Sequence, residues 1–122
     1  MSDRLDGVIK ELRAFVAERD WEQYHDPKNL AMLLSSEAGE LLSEYRWIRN
    51  EEADSWSSTP YNHARVTAEA ADVGIALLMF CERTKIDLVD AMKGKIQVNR
   101  ANYPADGSRG RSGRPNSDGG HH

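Results

Sequence analysis

The 122 residues contain one cysteine, Cys81, so no disulfide can form within the chain and a stapled secreted scaffold is excluded. Long apolar runs are also missing. The longest, Val73 to Cys81, is far short of the roughly 20 residues that span a bilayer, so no transmembrane helix is expected. The opening Met-Ser-Asp-Arg has neither the apolar stretch nor the cleavage pattern of a secretory signal, and a cytoplasmic location is expected. Positive charge is in deficit, with 16 Lys and Arg against 20 Asp and Glu, which disfavours nucleic acid as a partner. Only four prolines occur, at 27, 60, 104 and 115, and the long stretches between them are free to be helical.

From Ala105 to His122 the chain is rich in glycine, carries arginines and Pro115, and has almost nothing to bury, so 105–122 is expected to be a disordered tail. Residues 1–104 then form a single domain, too short to be two. Leu5, Val8, Ile9, Leu12, Phe15 and Val16 recur at helical spacing, which predicts a first helix from about Asp3 to Arg19. Asp26-Pro27 and Thr59-Pro60 each place a capping side chain before a proline suited to the first helical position. They predict helices over about Pro27 to Arg49 and Pro60 to Thr84, with an acidic, serine-rich connector from Asn50 to Thr59. Asp87 can cap a further helix that Pro104 stops. Four helices with no strand-like segment read as an all-α four-helix bundle, and faces too apolar for a lone monomer predict a homo-oligomer, dimer or tetramer.

Carboxylates interrupt two of the apolar faces. On a helical wheel Glu37 falls among Leu30, Leu33, Leu34, Leu41 and Ile48, with Glu40 and Glu44 beside it. Glu69 falls among Val66, Val73, Ala76, Leu77 and Phe80, with Asp72 three residues on. Inward carboxylates that are unpaired either take up protons or need a cation. Lys95, on the face of Leu88, Ala91 and Met92, is the nearest basic candidate, yet one ammonium does not neutralise four acids. A divalent ion does, and an all-oxygen ligand set favours Mg²⁺ or Mn²⁺. Di-iron chemistry is disfavoured, because neither pair has the histidine three residues after a glutamate.

The order Glu37-Ala-Gly-Glu40 then Glu69-Ala-Ala-Asp72 resembles the ExxE…ExxD signature of the MazG-like, all-α nucleoside triphosphate pyrophosphohydrolases. The flanks are similar to the dCTP pyrophosphatase branch: Phe15 through Trp21 and His25 to Asn29-Leu, Trp47 after the first pair, and Lys95-Ile-Gln-Val-Asn99-Arg-Ala-Asn-Tyr103-Pro104 near the end. The resemblance implies that Glu37, Glu40, Glu69 and Asp72 hold Mg²⁺, for which Mn²⁺ is a substitute on the same all-oxygen grounds; Glu37 and Glu40 are the candidate catalytic carboxylates, with Glu40, on the more polar edge of the arc, preferred as acceptor of the water's proton. The implied reaction takes a (d)NTP, dCTP or a modified dCTP among the candidates, to the monophosphate and pyrophosphate, as nucleotide-pool housekeeping. It further implies substrate contacts from Trp21, His25, Asn29, Trp47, Lys95, Asn99 and Tyr103. Flat indoles at Trp21 and Trp47 suit base stacking, and Lys95 with Asn99 one turn on suits a phosphate.

Three positions depart from that pattern. Leu12 stands where relatives carry histidine, Ala76 where they carry tyrosine, and Asn102 where many carry a basic residue. Loss of a polar group and a ring near the base weakens any argument for cytosine, since bases are discriminated by hydrogen bonds otherwise left unpaired. The rival reading from the sequence is a non-catalytic nucleotide- and metal-binding helical module.

Overall fold

The computed structural model describes residues 3–105, and among them there is no strand. The helices are α1 (Asp3–Glu18), α2 (Pro27–Tyr45), α3 (Ala53–Ser58), α4 (Pro60–Thr84) and α5 (Leu88–Asn102). Single 3₁₀ turns at Glu22–Tyr24 and Asn50–Glu52 punctuate the connectors. The chain divides after Ile86 into two compact units, the first holding α1 to α4 and the second α5. The expected tail, from residue 106 onward, lies outside the described residues.

Local chemistry explains where the helices begin. Asp26 is extended, and its carboxylate accepts the Asn29 backbone N–H at 3.0 Å, while Pro27 fills the first helical position, where no N–H is needed. Asp87 does the same for α5, accepting the Asp90 N–H at 3.1 Å. Thr59 departs from its expected role: its hydroxyl donates to the Trp56 carbonyl, and α4 starts on Pro60 without a side-chain cap. Lys85 closes α4 in the left-handed region at φ 62°, and the Ile86 N–H returns to the Cys81 carbonyl at 2.9 Å, the long bond of a Schellman ending.

Two expectations need correction. α2 ends at Tyr45 rather than near Arg49, so Ile48 and Trp47 lie beyond the helix on which the wheel had placed Ile48. The expected connector from Asn50 to Thr59 contains α3, so the described chain has five α-helices instead of four. One set of contacts accounts for both. The Tyr45 hydroxyl bonds the Ser57 hydroxyl at 2.6 Å, and its ring meets Trp56 edge-on at 5.0 Å. These contacts pull the chain back onto the end of α2. Serine and threonine hydroxyls bonding carbonyls three residues back, Ser55 to Glu52 and Ser58 to Ser55, support the short helix.

α2 and α4 run antiparallel, since Glu44 meets Arg65 at one end of the pair and Glu37 meets Glu69 and Asp72 further along. α1 lies against the C-terminal half of α4, where Arg13 pairs with Glu82, and Arg83 Nη1 donates to the Glu22 carbonyl at 3.1 Å, anchoring the connector after α1. Among the described residues the buried set is small: Val16, Leu30, Ala76, Leu78 and Cys81.

Candidate active site

Helical periodicity puts Glu37 on the face of α2 that meets α4, and the i, i+3 spacing puts Glu69 and Asp72 on one face of α4. Packing of the two helices brings the three together: one carboxylate oxygen from each lies within 4.8 Å of the others. Glu37 and Glu69 are half-buried and Asp72 is exposed. Among the described residues, no lysine, arginine or histidine forms an ion pair with any of the three. Partial burial pushes the Glu69 carboxyl above its ordinary value, and the charges of Asp72, Glu40, Glu44 and Glu37 push it further the same way. Converging, uncompensated oxygen donors of this kind fit a hard divalent cation.

Glu40, one turn along α2 from Glu37, is exposed and stands outside the three-residue group, although its charge reaches Glu69. Glu44, expected on the same inner stripe, is engaged elsewhere. Both of its oxygens accept from Arg65, at 3.0 and 3.3 Å. The sequence reading names Lys95 as the basic candidate and misses Arg65; the i, i+4 spacing to Glu69 marks Arg65 as near the acids, but its pairing with Glu44 is a contact between helices that spacing does not show.

The remaining candidates fall in different places. His25, half-buried, lines a cavity of about 550 Å³ with Leu12, Val16, Met79 and the Glu82–Arg83 turn of α4. Trp21 packs edge-on against Phe15 at 5.6 Å, with the Arg19 guanidinium over the Phe15 ring at 3.7 Å. Asn29 donates its side-chain amide to the Tyr24 carbonyl at 3.3 Å, which holds the connector to the start of α2. Trp47 is 84% exposed, with the Arg46 guanidinium 5.4 Å from its ring. Within the second unit, Lys95 and Asn99 are exposed one turn apart on α5, and the Tyr103 N–H closes that helix on the Asn99 carbonyl at 2.7 Å.

No protein-family model matches the chain. Individual proteins do. It is 40% identical over 103 residues to dCTP pyrophosphatase 1 of Bos taurus, covering 84% of this chain and 61% of that protein. It is also 40% identical over 98 residues to dCTP pyrophosphatase 1 of Homo sapiens, covering 80% and 58%. The chain therefore spans about three fifths of the length of these mammalian relatives. A solved pyrophosphatase from Archaeoglobus fulgidus superposes with a TM-score of 0.79 at 34% identity, over 85% of this chain and 95% of the other. Fold, acidic signature and relatives agree: the chain belongs to the MazG-like superfamily of all-α nucleoside triphosphate pyrophosphohydrolases.

Proposed function

We propose that the protein hydrolyses a nucleoside triphosphate to the monophosphate and pyrophosphate in a Mg²⁺-dependent reaction, with Mn²⁺ as a substitute. dCTP and modified dCTP are the first substrates to try, since the mammalian relatives are dCTP pyrophosphatases. The observation that carries this reading is the convergence of Glu37, Glu69 and Asp72 from two helices with no cationic side chain paired to them among the described residues. When bound, a hard divalent ion supplies charge neutralisation for phosphate oxygens and a lowered pKa for water.

Glu37, Glu69 and Asp72 hold the ion, and Glu40 completes the four acids that the family signature assigns. Glu40 is also our choice for the group that accepts the proton of the attacking water, because it is exposed beside the other three. Leu12, Val16 and Met79 give the cavity an apolar wall, and His25 with Arg13, Glu82 and Arg83 gives it hydrogen-bonding groups, chemistry that suits a base. Trp21 and Trp47 offer π-faces for stacking. Asn29, Lys95, Asn99 and Tyr103 complete the substrate-binding set, with the ammonium and amide of α5 directed by their chemistry to phosphate.

The assembly we infer is a homodimer or homotetramer. Leu42, Met32, Tyr61 and Trp47 are exposed on a unit whose described residues include few buried ones, and a second copy would cover them. No described helix is long and apolar enough to cross a membrane, and a cytoplasmic location suits work on a nucleotide pool.

Incubation with each (d)NTP and Mg²⁺ tests the reaction. Monophosphate and pyrophosphate are expected, and Glu40→Ala is expected to abolish them while the helical circular dichroism is kept. Diphosphate with orthophosphate contradicts the reading. Nucleotide binding without any product would identify a non-catalytic binding module instead.

A further inference from the structure

Arg65 grips Glu44 at two points. Nε donates to one carboxylate oxygen at 3.0 Å and Nη2 to the other at 3.3 Å, while Nη1 donates to the Tyr61 hydroxyl at 3.1 Å. Only 12% of the Glu44 side chain is exposed, against 52% for Arg65. Glu44 lies two turns after Glu37 on the α2 face that meets α4, and Arg65 lies one turn before Glu69 on α4. The pair therefore borders the acid cluster at the end nearest Tyr61.

We propose that Arg65 is a positioning residue of the metal centre: clamped by Tyr61, it withdraws the Glu44 carboxylate from the ligand set and offsets part of its charge. The inference rests on the metal-dependent reading above. Without it Glu44 would be a fifth acid on the same face, mostly out of water, with two oxygens free to compete for the ion. With both oxygens accepting from one planar fork, Glu44 is committed, and Glu37, Glu69 and Asp72 are left to converge without it. A guanidinium does this better than an ammonium, because its N–H groups match both carboxylate oxygens at once and leave another for Tyr61. The charge of Glu44 already reaches Glu69 despite the pair, so its full release would be felt at the centre.

The test is a double-mutant cycle on the full chain, read by Mn²⁺ affinity in the absence of nucleotide. Arg65→Met, which exposes the centre to the Glu44 charge, is expected to bind Mn²⁺ roughly fivefold tighter. Glu44→Gln, which leaves the Arg65 cation unpaired beside the centre, is expected to bind roughly threefold more weakly. The double variant should return to within about twofold of the parent, and Arg65→Lys should fall between parent and Arg65→Met. If both single variants weaken binding, the pair is only a packing strut and the proposal fails. Unchanged affinity in both also overturns it. If Arg65→Met does not fold, Arg65→Lys decides in its place: binding tighter than the parent supports the proposal, and equal or weaker binding overturns it. A parent protein that binds no Mn²⁺ and makes no product brings down the proposed function as well, whereas a parent that binds and hydrolyses isolates the failure to Arg65.

Discussion

Glu37 on α2 and Glu69 on α4 bring carboxylate oxygens within 4.8 Å of each other across the helix pair, and Asp72 joins them at the same spacing. Because partial burial and these neighbours raise the Glu69 carboxyl, the folded state holds that proton more tightly than the unfolded chain does. As pH rises through the ordinary carboxylate range into the raised one, the unfolded chain has lost the proton and the fold has not, so stability falls. Metal-free protein is therefore expected to melt higher on mild acidification from neutral pH. Glu69→Gln should flatten that dependence and raise the neutral-pH melting temperature. A steeper loss of stability in the variant would contradict the electrostatic account.

Metal should reverse the repulsion. Mg²⁺ at about 100 times its dissociation constant contributes about 2.7 kcal/mol to the fold, which for a domain of this size is on the order of 10 °C in melting temperature. Glu37→Gln or Asp72→Asn should remove most of that shift. Scanning fluorimetry with and without EDTA measures it, and identical melts would remove the metal centre.

Buried and exposed leucines on α2 should behave differently. Leu30 is 1% exposed, so Leu30→Ala should cost about 2 to 5 kcal/mol in denaturant unfolding. Leu42 is 69% exposed on the same helix, and Leu42→Ser should leave helicity intact while shifting light scattering toward a smaller species. An unaltered mass would separate Leu42 from the association surface.

Lys85 occupies the left-handed region at φ 62°, a conformation that costs side-chain-bearing residues about 1 kcal/mol and glycine nothing. After allowance for the looser unfolded chain, Lys85→Gly is expected to stabilise the protein by roughly 0.5 kcal/mol. Urea denaturation of the variant checks the sign.

Cys81 is buried in α4, and burial, assisted by the Glu82 charge, pushes its thiol above the ordinary range. Reaction with an aromatic disulfide reagent at neutral pH should be at least about tenfold slower in the native protein than in urea. Equal rates would mean that this part of α4 opens readily.

Much of the fold was legible residue by residue. Asp26-Pro27 and Asp87 announced helix starts because a cap is a contact across three residues, and the apolar arcs of α1, α2 and α4 follow from the helical period alone. α3 escaped because its support comes from Tyr45, which bonds Ser57 and meets Trp56 across a turn of the chain. The acid pairs were visible as i, i+3 spacings. Which carboxylates would meet was not visible, and a wheel that ranked Glu44 with Glu37 and Glu40 had no means of assigning it to Arg65.

The sequence by itself determined where α1, α2, α4 and α5 start, which faces are apolar, and that two acidic pairs interrupt those faces, because each is a matter of neighbours within a turn or two. Tertiary structure decided that Glu37 meets Glu69 and Asp72, that Glu40 stands beside that group, and that Arg65 takes Glu44. Those choices depend on the register and direction in which α2 lies against α4, set by side chains far apart in the chain filling one shared volume.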